Sequence, residues 1–236
     1  MIERKGGCVT GFNAASDIFM IVDENIIKYM YSLEKDAPEF FEELREYALE
    51  NDVPIIRREM ESFIRVLLDI IRPARILEIG AGIGYSGCFM ALCLEEAGIS
   101  DYELITVENY PPRIEKAREV ISRSGFSGHI TLLEDDAENA VKELSGTFDL
   151  IFLDAAKGQY ITFLPYLLKL MKKGSALLAD NVLQEGELIR SRYITPRRER
   201  TIHERMREFI WQVKHSSELD TTLIPIGDGV TLSIKK

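Results

Sequence analysis

An open, mostly parallel β-sheet of seven strands, with helices on both faces and a helical N-terminal extension, is the architecture this sequence predicts. Three observations carry that expectation. After Pro73, short β-rich apolar runs alternate with amphipathic helical stretches, the pattern of βαβ units. The first run leads into Gly80-Ala81-Gly82-Ile83-Gly84, a glycine-rich turn that opens a helix. The last two runs are separated only by Gly227-Asp228-Gly229, a hairpin signal that sets the final strand antiparallel beside its predecessor.

Residues 1–72 read as an extension that packs on the main domain, on a second copy or over a substrate, and residues 73–236 as the main domain. Apolar residues recur at near-helical spacing from Ile18 to Leu33. A second helix is predicted from Asp36, with Pro38 in its first turn, and a third from Arg57 to Ile71, stopped by Pro73. Strands are predicted at Arg75–Ile79, Glu103–Val107, Ile130–Leu133, Leu150–Asp154, Ser175–Ala179, Thr221–Ile226 and Val230–Ile234. Helices fill most gaps, at Tyr85–Ala97, Pro112–Ser124, Ala137–Leu144, Gln159–Met171 and Thr201–His215.

Composition narrows the class. The 236 residues suit one large domain with an extension, at roughly 150 residues per domain. Hydrophobic residues at 46% and charged residues at 29% argue against both disorder and a membrane-embedded chain. The longest apolar stretch, Phe148 to Ala156, still carries Asp149 and Asp154, so no membrane span is expected. Asn13, Ser16 and Asp17 interrupt any secretory signal core. Cys8, Cys88 and Cys93 have no paired spacing; Cys88 and Cys93 read as buried on a helix, and the expected compartment is the reducing cytoplasm. Three scattered histidines and no C-x-x-C argue against a zinc site. A net charge of −10 argues against non-specific nucleic-acid binding as the main activity.

The chemistry begins at the glycine turn. Glycines let a ligand approach the backbone, and the following helix offers free N–H groups. Gly82, Gly84 and Gly87 also fit the G-x-G-x-x-G dinucleotide pattern, with Glu108 21 residues beyond Gly87 as a ribose-binding carboxylate. A nicotinamide-dependent oxidoreductase is therefore a distant alternative. Against it, Gly82 sits three residues beyond the strand and Glu78 sits inside it. Ligands of open α/β sheets bind at the C-terminal strand ends. There the sequence places Asp135-Asp136-Ala137, Asp154 with Lys157, and Asp180-Asn181. Asp154, Asp180 and Asn181 form a hard-oxygen set suited to Mg²⁺ or Mn²⁺. The alternative on residue type alone is helix capping and turn formation.

Together the E-x-G-x-x-x-G-Y-S turn, the Val107-Glu108 strand end, the Asp154-Ala155-Ala156-Lys157 segment and the Asp180-Asn181 pair resemble the metal-dependent S-adenosylmethionine O-methyltransferases of catechol and caffeoyl-CoA type. The likeness covers about residues 50–236 and implies a Rossmann-like methyltransferase fold. Leu153 to Tyr160, Asp180 to Leu183 and Pro225 to Gly229 look most like the bacterial branch that methylates 5-hydroxyuridine in tRNA; Ala81 stands where threonine is often seen.

The resemblance implies roles residue by residue. Glu78, Gly80 and Gly82 would form the cofactor turn. Ser86 would hydrogen-bond the methionine carboxylate, Glu108 would accept the ribose hydroxyls, and Asp136 and Ala137 would line the adenine. Ile56 would touch the methionine end. Asp154, Asp180 and Asn181 would hold the metal, with Asp154 also beside the cofactor, and Lys157 would be the general base; its alternative is a helix-start lysine binding phosphate or carboxylate.

The first substrate reading is the tRNA wobble 5-hydroxyuridine in the anticodon loop, converted to 5-methoxyuridine. Seven arginines fall within eighteen residues from Arg190 to Arg207. Arg190, Arg192, Arg197, Arg198 and Arg200 are the candidate RNA contacts, because guanidinium groups grip phosphate bidentately. Tyr160 or Tyr193 would receive the base. The bland alternative is a solvated helix face with Arg205 and Arg207 paired to Glu204 and Glu208. The second substrate reading is a small catechol-like molecule, since a catechol and 5-hydroxyuridine both offer two neighbouring oxygens to one metal. A homodimer is expected from the apolar N-terminal helices and the resemblance.

Overall fold

The computed structural model describes residues 22–189, 196 and 198–236. Cys8, Ile18 to Ile21, Arg190, Arg192, Tyr193 and Arg197 lie outside the described residues. Three helices come first: α1 (Glu24–Leu33), α2 (Glu39–Glu50) and α3 (Arg58–Ile71). Then follow β1 (Arg75–Ile79), α4 (Tyr85–Glu96), β2 (Glu103–Glu108), α5 (Pro111–Arg123), β3 (Ile130–Glu134) and α6 (Ala137–Glu143). The chain continues through β4 (Phe148–Leu153), α7 (Tyr160–Lys169), β5 (Met171–Ala179), α8 (Arg200–His215), β6 (Leu219–Ile224) and β7 (Val230–Lys235).

The seven strands form one sheet in the order β3-β2-β1-β4-β5-β7-β6. β7 runs antiparallel to both neighbours, as the short glycine turn dictates, and the remaining adjacent pairs are parallel. Successive residues of a strand feed opposite faces. Ile76, Leu150, Phe152, Ala176 and Leu178 join a core with α2, α3, α4 and α5. Leu77, Ile79, Ile151, Leu153 and Leu177 join a second core with α6, α7 and α8. Burial on both faces explains why the central strands read as continuous apolar runs.

The helix starts differ from the sequence expectation. α1 begins at Glu24 because the Asp23 carboxylate accepts from the Asn25 N–H and caps the helix there. α2 begins at Glu39, with Pro38 outside it as the cap residue rather than in the first turn. α3 stops where Arg72 turns left-handed at φ 48° ahead of Pro73. β5 starts four residues before Ser175, at Met171, and β6 ends two residues before Ile226. Cys88 and Cys93 are free and buried on α4, and burial pushes both thiols up to about 12. Among the described residues no helix is long and apolar enough to cross a membrane.

Gly80 joins β1 to the site. At φ 104°, a Cβ on it would stand 2.1 Å from the Asp154 carbonyl oxygen. Gly82, at φ 54°, has nothing within 4 Å of the same position. Gly82→Ala is therefore expected to cost about 1 kcal/mol, the left-handed penalty alone. Gly80→Ala should cost at least about 2 kcal/mol more, because strain and a backbone clash add. Urea denaturation of the two variants reads the difference; equal costs would contradict the close packing of Gly80 on Asp154.

Candidate active site

The loops after β1 to β5 and the β6–β7 hairpin open into one cavity of about 920 Å³. Ile56, Gly80, Gly82, Ser86, Glu108, Ala137, Asp154, Lys157, Asp180 and Asn181 all line it. Sequence positions spread over more than 120 residues thus meet where the fold puts ligands.

At one end the chain leaves β1 and bends toward β2. The N–H groups of Gly80 and Ala81 both donate to the Val107 carbonyl, at 3.0 and 2.9 Å. Gly84, left-handed at φ 82°, starts α4, whose first-turn N–H groups lack intrahelical partners. Glu108 fixes the turn by accepting from the Gly82 N–H at 3.0 Å and from the Asn109 and Tyr110 N–H groups at 3.0 Å each. A carboxylate has about four acceptor positions. Three are taken by backbone, which leaves Glu108 room for about one ribose hydroxyl rather than two.

Glu78 is fully buried beneath the turn and does not line the cavity. Its carboxylate accepts from Ser86 Oγ at 2.5 Å and from Thr106 Oγ1 at 2.6 Å. Burial raises it to about 7 against the pull of those two hydroxyls, with the Asp154 and Glu108 charges adding to the rise. Glu78 thus holds the turn from below, and Ser86, which lines the cavity, directs its hydroxyl proton to Glu78. Asp136 caps α6, accepting from the Glu138 N–H at 2.9 Å and from Asn109 Nδ2 at 3.2 Å, and Asp135 lines the cavity in its place.

At the other end the parallel ladder runs one residue past the strands. The Asp154 N–H donates to Ile79 O and the Asp180 N–H to Leu153 O, both at 3.0 Å. That ladder sets the two aspartates on neighbouring strand ends. Asp180 is buried, and burial followed by the Asp154 charge raises it to about 7. Asn181 is left-handed at φ 55°, a conformation asparagine tolerates. Lys157 Nζ donates to Asp154 Oδ1 at 3.1 Å and to Asn181 Oδ1 at 2.5 Å. An ammonium thus already sits among the oxygens predicted to hold a cation, and two carboxylates with an amide oxygen fit a hard divalent ion. Among the described residues no three His, Cys, Asp or Glu side chains converge on one point; the candidate set needs its asparagine.

Several lining residues had no role assigned from sequence, Arg57, Asp228 and Gln184 among them. Arg57, ahead of α3, pairs with Asp228 of the hairpin at 2.8 Å, and Gln184 is left-handed at φ 49°. A charged residue inside a hairpin turn at this end of the sheet was the available signal for Asp228. Tyr160 is fully buried, its hydroxyl 3.1 Å from the carbonyls of Leu153 and Asp180, so it cannot receive a base. In the arginine cluster, Arg198 is exposed and pairs with Glu199, and Arg200 begins α8. Arg205 donates to Gly158 O at 3.1 Å rather than pairing along the helix, and Arg207 donates to Leu188 O at 2.7 and 2.9 Å.

The chain whose sheet carries this cavity, with a glycine turn and an acidic strand end at one side and an oxygen cluster at the other, is an S-adenosylmethionine-dependent O-methyltransferase, as its matches to known proteins show. A family model described as O-methyltransferase matches residues 31–236, and the chain belongs to that family. It is 29% identical over 183 residues to a catechol O-methyltransferase of Niastella koreensis, covering 74% of this chain and 79% of that one. It is 29% identical over 220 residues to caffeoyl-CoA O-methyltransferase 2 of Populus trichocarpa, covering 86% of each. The SAH-bound structure of a Podospora anserina methyltransferase superimposes with a TM-score of 0.79 at 26% identity, over 90% of this chain and 94% of that one. The family match sets aside the nicotinamide-dependent alternative.

Glu78 and Asp180 carry a stability consequence. Each is raised in the folded state, so the native protein binds more protons than the unfolded chain between the ordinary carboxylate range and about pH 7. Their stabilising contribution is present at low pH and is lost as pH rises through about 7. In chelator, the urea midpoint is expected to fall between pH 5.5 and 7.5 from these groups. Glu78→Gln should flatten that fall; an unchanged slope would contradict the assignment of Glu78.

Proposed function

We propose that the chain methylates one hydroxyl of a small catechol-type substrate, using S-adenosylmethionine and a divalent cation held by Asp154, Asp180 and Asn181. The observation that carries this reading is that the glycine turn and the oxygen cluster open into the same cavity. The names of the catechol and caffeoyl-CoA relatives support the substrate class.

The residues divide the work. Gly80, Gly82 and the start of α4 hold the amino-acid end of the donor, with Ile56 against it. Glu108 binds the ribose, and Ala137 with Asp135 lines the adenine. The sulfonium supplies an electrophilic methyl group. The cation, Mg²⁺ or Mn²⁺, supplies Lewis acidity that favours the anion of a substrate hydroxyl. Lys157, three residues past Asp154, stands where its ammonium can balance the charge of the substrate oxygen, and it could take the hydroxyl proton only as the neutral amine. The cavity walls align the oxygen with the methyl carbon.

The competing reading is methylation of wobble 5-hydroxyuridine in tRNA. It relies on Arg190, Arg192, Arg197, Arg198 and Arg200, of which the first three lie outside the described residues. Two arginines of the same cluster, Arg205 and Arg207, are engaged by the protein's own carbonyls. The expected homodimer has exposed apolar side chains available to it at Ile26, Tyr29, Val66 and Ile70.

The test offers the purified protein S-adenosylmethionine and Mg²⁺ with a simple catechol, and separately with tRNA carrying 5-hydroxyuridine. The expected outcome is methylated catechol, lost with EDTA and reduced at least about a hundredfold by Asp154→Asn. Untouched catechol with 5-methoxyuridine formed in the tRNA would move the assignment to RNA. Turnover unaffected by EDTA would remove the cation.

A further inference from the structure

We propose that Asp228 is a positioning residue that fixes the amide of Asn181, and that Arg57 clamps Asp228 in place from across the cavity. The inference rests on the cation reading of the preceding subsection and adds two residues that reading does not use.

As an ammonium, Lys157 Nζ has only protons to give, and it lies 2.5 Å from Asn181 Oδ1. That contact fixes the amide's orientation: the oxygen faces Lys157 and Asp154, so the NH₂ group faces the other way. What it meets there is Asp228 Oδ2, 3.4 Å from Asn181 Nδ2. The second oxygen of the same carboxylate, Oδ1, lies 2.8 Å from Arg57 Nη2. One carboxylate thus bridges a guanidinium and an amide, with an oxygen for each.

The backbone holds the bridge from both sides. The N–H groups of Val182 and Leu183 donate to Gly229 O and Asp228 O, at 2.8 and 2.9 Å, which ties the hairpin to the turn following Asp180. Gly229 admits no side chain, because a Cβ there would stand 2.4 Å from Leu183. Arg57 precedes α3, beside Ile56, which lines the donor end of the cavity. The Arg57–Asp228 pair therefore links the segment that covers the donor to the residues predicted to hold the cation.

A freely rotating asparagine offers its NH₂ as readily as its oxygen, and an NH₂ repels a cation. An acceptor behind the amide removes that alternative. Partners of this kind behind metal ligands contribute about 10–100-fold in metal affinity.

The test is Mn²⁺ binding to the full chain, read by the loss of the free Mn²⁺ electron paramagnetic resonance signal, with no methyl donor present. Asp228→Ala is expected to weaken binding by about 10–100-fold, and Arg57→Met by less in the same direction. Asp228→Asn keeps an acceptor but loses the ion pair, and should fall between wild type and Asp228→Ala. It decides the matter if the alanine variant does not fold by circular dichroism. In an Asn181→Ala background, Asp228→Ala should have no further effect. Wild-type affinity in both Asp228→Ala and Asp228→Asn would overturn the proposal. So would an equal loss with and without Asn181, since Asp228 would then act directly on the ion or through its charge alone. Absence of Mn²⁺ binding by the wild type would overturn the cation reading itself, and this inference with it.

Discussion

Asp154 and Asp180 are held side by side by a parallel ladder, with Asp180 buried, and the repulsion between them shapes the rest of the site. Two neighbouring carboxylates in a shielded place are stable only with protons or cations to share. Lys157 supplies one positive charge within the turn that follows β4, and Asn181 supplies a neutral oxygen facing the same ammonium. The ladder that imposes this proximity also requires Gly80, because the Asp154 carbonyl occupies the space a side chain would need.

The same geometry explains the separation of roles along the sheet edge. The glycine turn after β1 and Glu108 after β2 form an end built of backbone N–H groups and one carboxylate. The aspartates after β4 and β5 form an end built of oxygens. Between them the cavity is continuous. The two halves are also tied at the rim, through Arg57, Asp228 and Asn181.

Much of this was legible in the sequence because parallel strands carry their own signature. Runs such as Leu150–Leu153 and Ala176–Ala179 are apolar throughout, and acidic residues at their ends stand out against them. The hairpin at Gly227–Gly229 followed from its length alone. What could not be read was hydrogen-bond direction. Ser86, Asp136 and Glu78 lie in the expected segments, yet Ser86 turns its proton to Glu78, and Asp136 caps its own helix. A motif places a residue near a site, while the competing local partner decides which way its side chain points. Asp228 and Arg57 escaped for a different reason: their pairing spans 171 residues and depends on how the hairpin folds back over the sheet edge. Tyr160 was misread because its ring completes the core between β4 and α8, stacked edge-on against Phe209.

One cavity has to serve both the donor and the cation. A crystal structure grown with S-adenosylhomocysteine and Mn²⁺, with data collected for the manganese anomalous signal, tests it directly. The product is expected between the glycine turn and Glu108, with a single anomalous peak among Asp154, Asp180 and Asn181 in the same cavity. A peak elsewhere, or none with the product bound, would contradict the shared cavity.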